Sequence, residues 1–152
     1  MSSVAFGREV VGDLNVGDRR EWLVANGLGS YGSGSVCGTI TRGYHGLLVT
    51  AVKPPVDRRV MLVKVDESIV YRGKPYDLAA NQWSGGAVAP SGYRNIESFE
   101  LEGSIPVWRY TLGNAIFEKR IWMDQGKQTT YVGYAYVAGD GPIQVSARVI
   151  VD

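Results

Sequence analysis

From residue 94 onward the sequence alternates strand-forming runs with short turn signals, and this metre restricts the fold more than any other feature. Residues 99–102, 107–112, 115–123, 129–137 and 143–151 are rich in the aromatic or β-branched side chains that fit a pleated surface. Glu102-Gly103-Ser104, Gly113-Asn114, Asp124-Gln125-Gly126-Lys127 and Gly139-Asp140-Gly141-Pro142 separate them, and Gly and Asn there supply the positive φ of tight hairpins. The spacing predicts an antiparallel meander. Trp108, Tyr110, Trp122, Tyr131, Tyr134 and Tyr136 fall within these strands and are expected to fill a sandwich interior or pair across strands.

The first half follows the same metre. Residues 59–70 place Met61, Val63 and Val65 on one parity and Val60 and Leu62, with Lys64 and Asp66, on the other, which predicts one strand with a fully buried face. Tyr71-Arg72-Gly73-Lys74 is a turn, and residues 75–78 are expected to pair back as a hairpin. Residues 81–92 (NQWSGGAVAPSG) offer little to bury and much to bend, so an extended loop is expected there. No useful window carries apolar residues at the helical spacing. The fold class is therefore all-β, an antiparallel β-sandwich with long Gly-rich loops. With 152 residues and 45% hydrophobic content, one core and one domain spanning 1–152 are expected. The sequence stops at Val149-Ile150-Val151-Asp152, inside what reads as a strand, so a fragment or one domain of a larger protein is expected.

A formal net charge of +1 gives no field to gather nucleic acid or anionic lipid, and neither partner is expected. No apolar stretch is long enough to span a bilayer, and the start lacks a basic segment followed by an apolar one, so a cytoplasmic location is expected. Cys37 is the single cysteine; it excludes an internal disulfide and a cysteine metal site and reads as a small buried hydrophobe.

Residues 26–35 read NGLGSYGSGS after the apolar run Trp22-Leu23-Val24-Ala25, and Gly27, Gly29 and Gly32 match the dinucleotide spacing G-x-G-x-x-G. That pattern works only where a helix starts within it and an acid follows about 20 residues on. Here Ser, Thr and further Gly follow, which are poor helix formers, and no Asp or Glu lies between Glu21 and Asp57. A glycine bend joining two strands is the better reading. Exposed backbone groups in such a bend also suit the rim of a cleft for an uncharged polar ligand such as a sugar, with Asn26, Ser30 and Tyr31 adding side-chain hydrogen bonds.

Residues 41–49 read TRGYHGLLV and hold Arg42, Tyr44 and the sole histidine, His45. On a strand, Arg42 and Tyr44 share a face and His45 points the other way. Alone, His45 reads as a structural hydrogen-bonder, since no second histidine exists to build a metal site.

Taken together, the stretches Arg20-Glu21-Trp22-Leu23-Val24-Ala25-Asn26-Gly27-Leu28-Gly29-Ser30-Tyr31, Gly34-Ser35 and Thr41-Arg42-Gly43-Tyr44-His45-Gly46-Leu47-Leu48-Val49 resemble the N-terminal domain of bacterial and archaeal glycogen debranching enzymes of the amylo-α-1,6-glucosidase type. That family's pattern is approximately E-W-L-x-x-N-G-x-G-G-[YF]-A-x-G followed by T-R-R-Y-H-G-L-L-[VI]. Ser30 replaces its usual glycine, Gly32 its alanine and Gly43 its second arginine, which removes a charge. The resemblance implies a β-sandwich preceding a helical (α/α)-barrel domain that carries the glycosidase chemistry and lies outside this chain. It implies hydrolysis of α-1,6-linked branch points without a cofactor, and partners in an α-glucan and the helical domain.

Glycoside hydrolysis needs two carboxylates about 5–10 Å apart. Glu100 and Glu102 meet that spacing on one strand face, but a solvated face explains them as well; Asp66 and Glu67 point to opposite faces. No catalytic residue is therefore expected in this chain. The substrate-binding candidates are Asn26, Gly27, Gly29, Tyr31, Arg42, Tyr44, His45 and Trp83, the last an aromatic in a Ser/Gly/Pro loop. The expected role is a glucan-contacting or domain-bracing module; the alternative is a free-standing α-glucan-binding sandwich.

Overall fold

The structure, a computed structural model, describes residues 4–152. Its strands are β1 (Ala5–Phe6), β2 (Glu21–Ala25), β3 (Tyr31–Ser35), β4 (Gly46–Lys53), β5 (Val56–Leu62), β6 (Lys64–Tyr71), β7 (Lys74–Asp77), β8 (Ala80–Gln82), β9 (Val88–Ser91), β10 (Ile96–Glu102), β11 (Ile105–Leu112), β12 (Ala115–Met123), β13 (Thr130–Ala138) and β14 (Ile143–Ile150). The only helices of the described residues are the one-turn α1 (Arg8–Val11) and α2 (Leu14–Gly17) and a 3-10 turn at Gly92–Asn95. No helix among them is long and apolar enough to cross a membrane.

The architecture is an all-β antiparallel sandwich. One layer is a five-stranded sheet in the order β1-β10-β11-β12-β13. Facing it are a four-stranded sheet, β2-β3-β4-β5, and a three-stranded sheet, β14-β6-β7, with β8-β9 as a separate ribbon. Val63 joins the two facing sheets: its carbonyl accepts from Leu47 N at 2.9 Å, and its N–H donates to Ile150 O at 2.8 Å. Trp22 and Val24 of the four-stranded sheet and Ile69 and Tyr71 of the three-stranded sheet share a core with Phe99, Trp108, Tyr110, Phe117 and Ile121. Trp22 meets Trp108 edge-on at 5.6 Å, and the Trp108 indole N–H donates to Val36 O. Such aromatic pairs contribute about 0.5–1.5 kcal/mol beyond the area they bury. A buried ionic contact adds a second tie between layers. The Glu67 carboxylate on β6, 2% exposed, lies 2.7 Å from Lys119 Nζ and accepts from Tyr134 OH at 2.5 Å.

Several expectations need correction. The predicted strand over 59–70 is two strands in different sheets, broken at Val63, and Met61 is 54% exposed while Val63 and Val65 of the same parity are half-buried. The meander ends at β13, because β14 leaves that sheet and pairs with β6 from Ile143↔Tyr71 to Ile150↔Lys64. Residues 81–92 include a short hairpin, closed by Trp83 N donating to Ala87 O at 2.8 Å. The six aromatics assigned to strands divide as expected between interior and cross-strand pairing: Trp108 and Tyr110 are core, while half-buried Trp122 stacks on Tyr131 and Tyr134 stacks on Phe117 across β12 and β13. Tyr131, Tyr134 and Tyr136 are 37–40% exposed because β13 is the edge of its sheet.

Candidate functional site

Residues 26–30 form the bend between β2 and β3, with Gly27 and Gly29 at φ 81° and 94°. No helix starts there, so the phosphate-cradle geometry is absent and the glycine bend is the observed structure. Gly29 is required twice over: its φ is positive, and an added Cβ would lie 2.6 Å from Pro55 O. Asn26 governs the bend. Its Oδ1 accepts from Leu28 N at 2.8 Å and Ser30 N at 3.2 Å, and its Nδ2 donates to Lys127 O at 2.9 Å. Its backbone carbonyl accepts from Gly126 N at 2.7 Å, which fastens the bend to the turn over residues 124–128. Asn26 is fully buried and Ser30 1% exposed, the Ser30 hydroxyl donating to Gln128 Oε1 and accepting from Ala51 N. Both side chains therefore shape the loop from within instead of facing a ligand.

Residues 41–45 form a turn, closed by His45 N donating to Arg42 O at 3.0 Å, and this overturns the strand geometry expected for them. Arg42, Tyr44 and His45 consequently converge instead of splitting between faces, and the group they converge on is Glu21. Its Oε1 accepts from Tyr44 OH at 2.8 Å and pairs with His45 Nε2 at 2.9 Å, with Arg42 Nε at 3.7 Å. His45 Nδ1 accepts from the backbone N–H groups of Thr41 and Arg42, which assigns the ring proton to Nε2 and makes Nε2 the donor to Glu21. The histidine is 3% exposed and acts as a brace inside the turn. The Tyr44 hydrogen bond, followed by the histidine and Arg42, holds the Glu21 carboxyl below its usual range, and the same bond raises the Tyr44 phenol.

What remains open is a groove of about 380 Å³ lined by Glu21, Trp22, Leu23, Tyr31, Ser33 and Tyr44. Tyr44 is 50% exposed, and the Tyr31 hydroxyl donates to the Tyr44 backbone carbonyl at 2.8 Å, tying the Tyr31 side chain to the turn. Arg58 lies over the Tyr31 ring at 5.9 Å and donates from Nε to Gly29 O. All three contacts to Glu21 fall on Oε1, so Oε2 has no hydrogen bond among the described residues. Two aromatic rings, a carboxylate oxygen and the Arg42 guanidinium can stack on an apolar ring face while exchanging hydrogen bonds with its hydroxyls.

The structure thus brings Tyr31 and Tyr44 together at the groove, with Arg42 beside its Glu21, His45 buried under the turn, and Asn26, Gly27 and Gly29 in the adjoining bend. Trp83 stands apart: it is 61% exposed on the β8-β9 ribbon, donates from its indole N–H to Ala89 O, and lines no part of this groove. Glu21 and Arg58 were not among the sequence candidates. The alternation of Glu21, Leu23 and Ala25 with buried Trp22 and Val24 placed Glu21 on an outer face, but nothing local announced its partners. Glu102 pairs with Arg120 at 2.7 Å, in keeping with a solvated strand face. Cys37 is buried against Val11 O, and desolvation, then Asp18 and Asp13, push its thiol up to about 12. No group of three His, Cys, Asp or Glu side chains converges on a metal position among the described residues.

Fold and groove define a β-sandwich domain that presents a groove lined by two tyrosines, Tyr31 and Tyr44. The model of the glycogen debranching enzyme N-terminal family matches residues 20–152, and the chain belongs to that family. No curated protein and no solved structure gives a significant match.

Proposed function

We propose that this domain supplies a glucan-contacting wall to a glycogen debranching enzyme, holding α-linked glucose units in the Glu21–Tyr31–Tyr44 groove while a helical domain outside this chain hydrolyses α-1,6 branch points. The observation that carries the reading is the Glu21 cluster, where residues 20 or more positions apart in sequence converge to orient an exposed tyrosine and a free carboxylate oxygen. The groove holds one carboxylate, whereas glycoside cleavage uses a pair, which favours binding over cleavage as its role. Asn26 and His45 brace the site from inside the sandwich. A lone buried cysteine fits a reducing, cytoplasmic setting.

Calorimetric titration of the chain with maltooligosaccharides tests the reading. Saturable binding that weakens about tenfold in Tyr44→Ala, with unchanged thermal unfolding, is expected. Silence from the wild-type chain would leave bracing as the role.

A further inference from the structure

Leu23 lies on two grooves. One is the tyrosine groove; the other, about 430 Å³, lies along the opposite flank of β2 and is bordered by Ala25, Ser104, Ile105, Trp122 and Gln125. Both volumes fall within the range of small-ligand sites. We propose that the second groove is a further α-glucan subsite, so that the domain binds a run of glucose units across Leu23. The proposal rests on the reading of the first groove.

Its floor is preformed. The Trp122 indole stacks on Tyr131 with centroids 5.4 Å apart and planes 11° from parallel, and the Tyr131 hydroxyl donates to Asp124 at 3.1 Å. Gly133 makes room for this: a Cβ there would lie 2.9 Å from the indole, so a side chain at that position would displace the ring. A ring immobilised before the ligand arrives loses little rotamer freedom on binding. The lining side chains are all uncharged, which suits a neutral sugar and offers nothing to a phosphate or carboxylate. Polar groups sit at the rim. The Ser104 hydroxyl makes no hydrogen bond among the described residues, while the Gln125 amide is pinned by donating to Ala25 O at 2.9 Å. Continuity through Leu23 and an uncharged lining with one aromatic side chain, Trp122, together favour a run of neutral sugars over a single small ligand.

The test is calorimetric titration of the whole chain with maltose and with maltoheptaose. Trp122→Ala and Ser104→Arg, the latter filling the groove from an exposed turn, are each expected to weaken maltoheptaose about tenfold and leave maltose unchanged. Tyr44→Ala is expected to weaken both sugars. Wild-type maltoheptaose affinity in Ser104→Arg overturns the second subsite, as does equal loss of both sugars in Trp122→Ala; in either case a loss in Tyr44→Ala keeps the first groove standing. A wild-type chain that binds neither sugar removes both.

Discussion

Asn26 and Tyr44 belong to one sequence signature, the paired NGLGS and TRGYH stretches, yet they lie at opposite ends of the exposure scale, at 0% and 50%. The first stretch turns its polar atoms inward: Asn26 closes the bend on itself and ties it to residues 124–128 across about a hundred positions of sequence. The second turns outward, using His45 as an internal peg and leaving Tyr44, Arg42 and one oxygen of Glu21 toward solvent. A motif is thus two kinds of residue, those that build a surface and those that present it, and only burial and hydrogen-bond accounting separates them.

The difference predicts opposite failures. Asn26→Ala leaves the N–H groups of Leu28 and Ser30 and the carbonyl of Lys127 without their partner, and is expected to destabilise the chain by about 3 kcal/mol in urea unfolding. Unchanged stability would break the assignment of Asn26 as a builder. Glu21→Gln is expected to cost less, under about 1 kcal/mol at neutral pH, since the contacts lie at the surface. The sign with pH follows from the lowered carboxyl: because Glu21 titrates below its ordinary value of 4.5 in the folded chain, its contribution is fully present above that value and is lost as pH falls through the depressed one. The stability gap between wild type and Glu21→Gln should therefore close on acidification below the ordinary glutamate range. A gap that persists or widens there would contradict the Tyr44–Glu21–His45 geometry.

Several turns were legible in the sequence where the backbone demands a special conformation, though the one at Asp57, φ 58°, was not. Arg72 and Gly73 take φ of 53° and 75° and place the β6-β7 hairpin where the sequence put it, and Gly103 and Gly113 do the same for β10-β11 and β11-β12. The break at Val63 was not legible: the inward parity switches there, from Val60 and Leu62 in β5 to Glu67, Ile69 and Tyr71 in β6, but residues 60–63 are all apolar and hide the switch; hydrogen bonds to Leu47 and Ile150 decide it. The helices at Arg8–Val11 and Leu14–Gly17 are one turn each, too short to show a period. The glycine bend was legible in the first stretch, and the two stretches do meet, through the Tyr31 hydroxyl on the Tyr44 carbonyl. Glu21 escaped notice because its partners lie more than 20 residues away and meet it through a turn that reads as a strand.

The central claim is that the outward half of the signature is where glucan sits. Backbone amide shifts of the isotopically labelled chain, followed by NMR during titration with maltoheptaose, test it most directly. The account predicts the largest changes at Glu21, Leu23, Tyr31 and residues 42–45, with little at the Trp83 ribbon. Changes centred on the Trp83 ribbon, with the Glu21 groove silent, would contradict it.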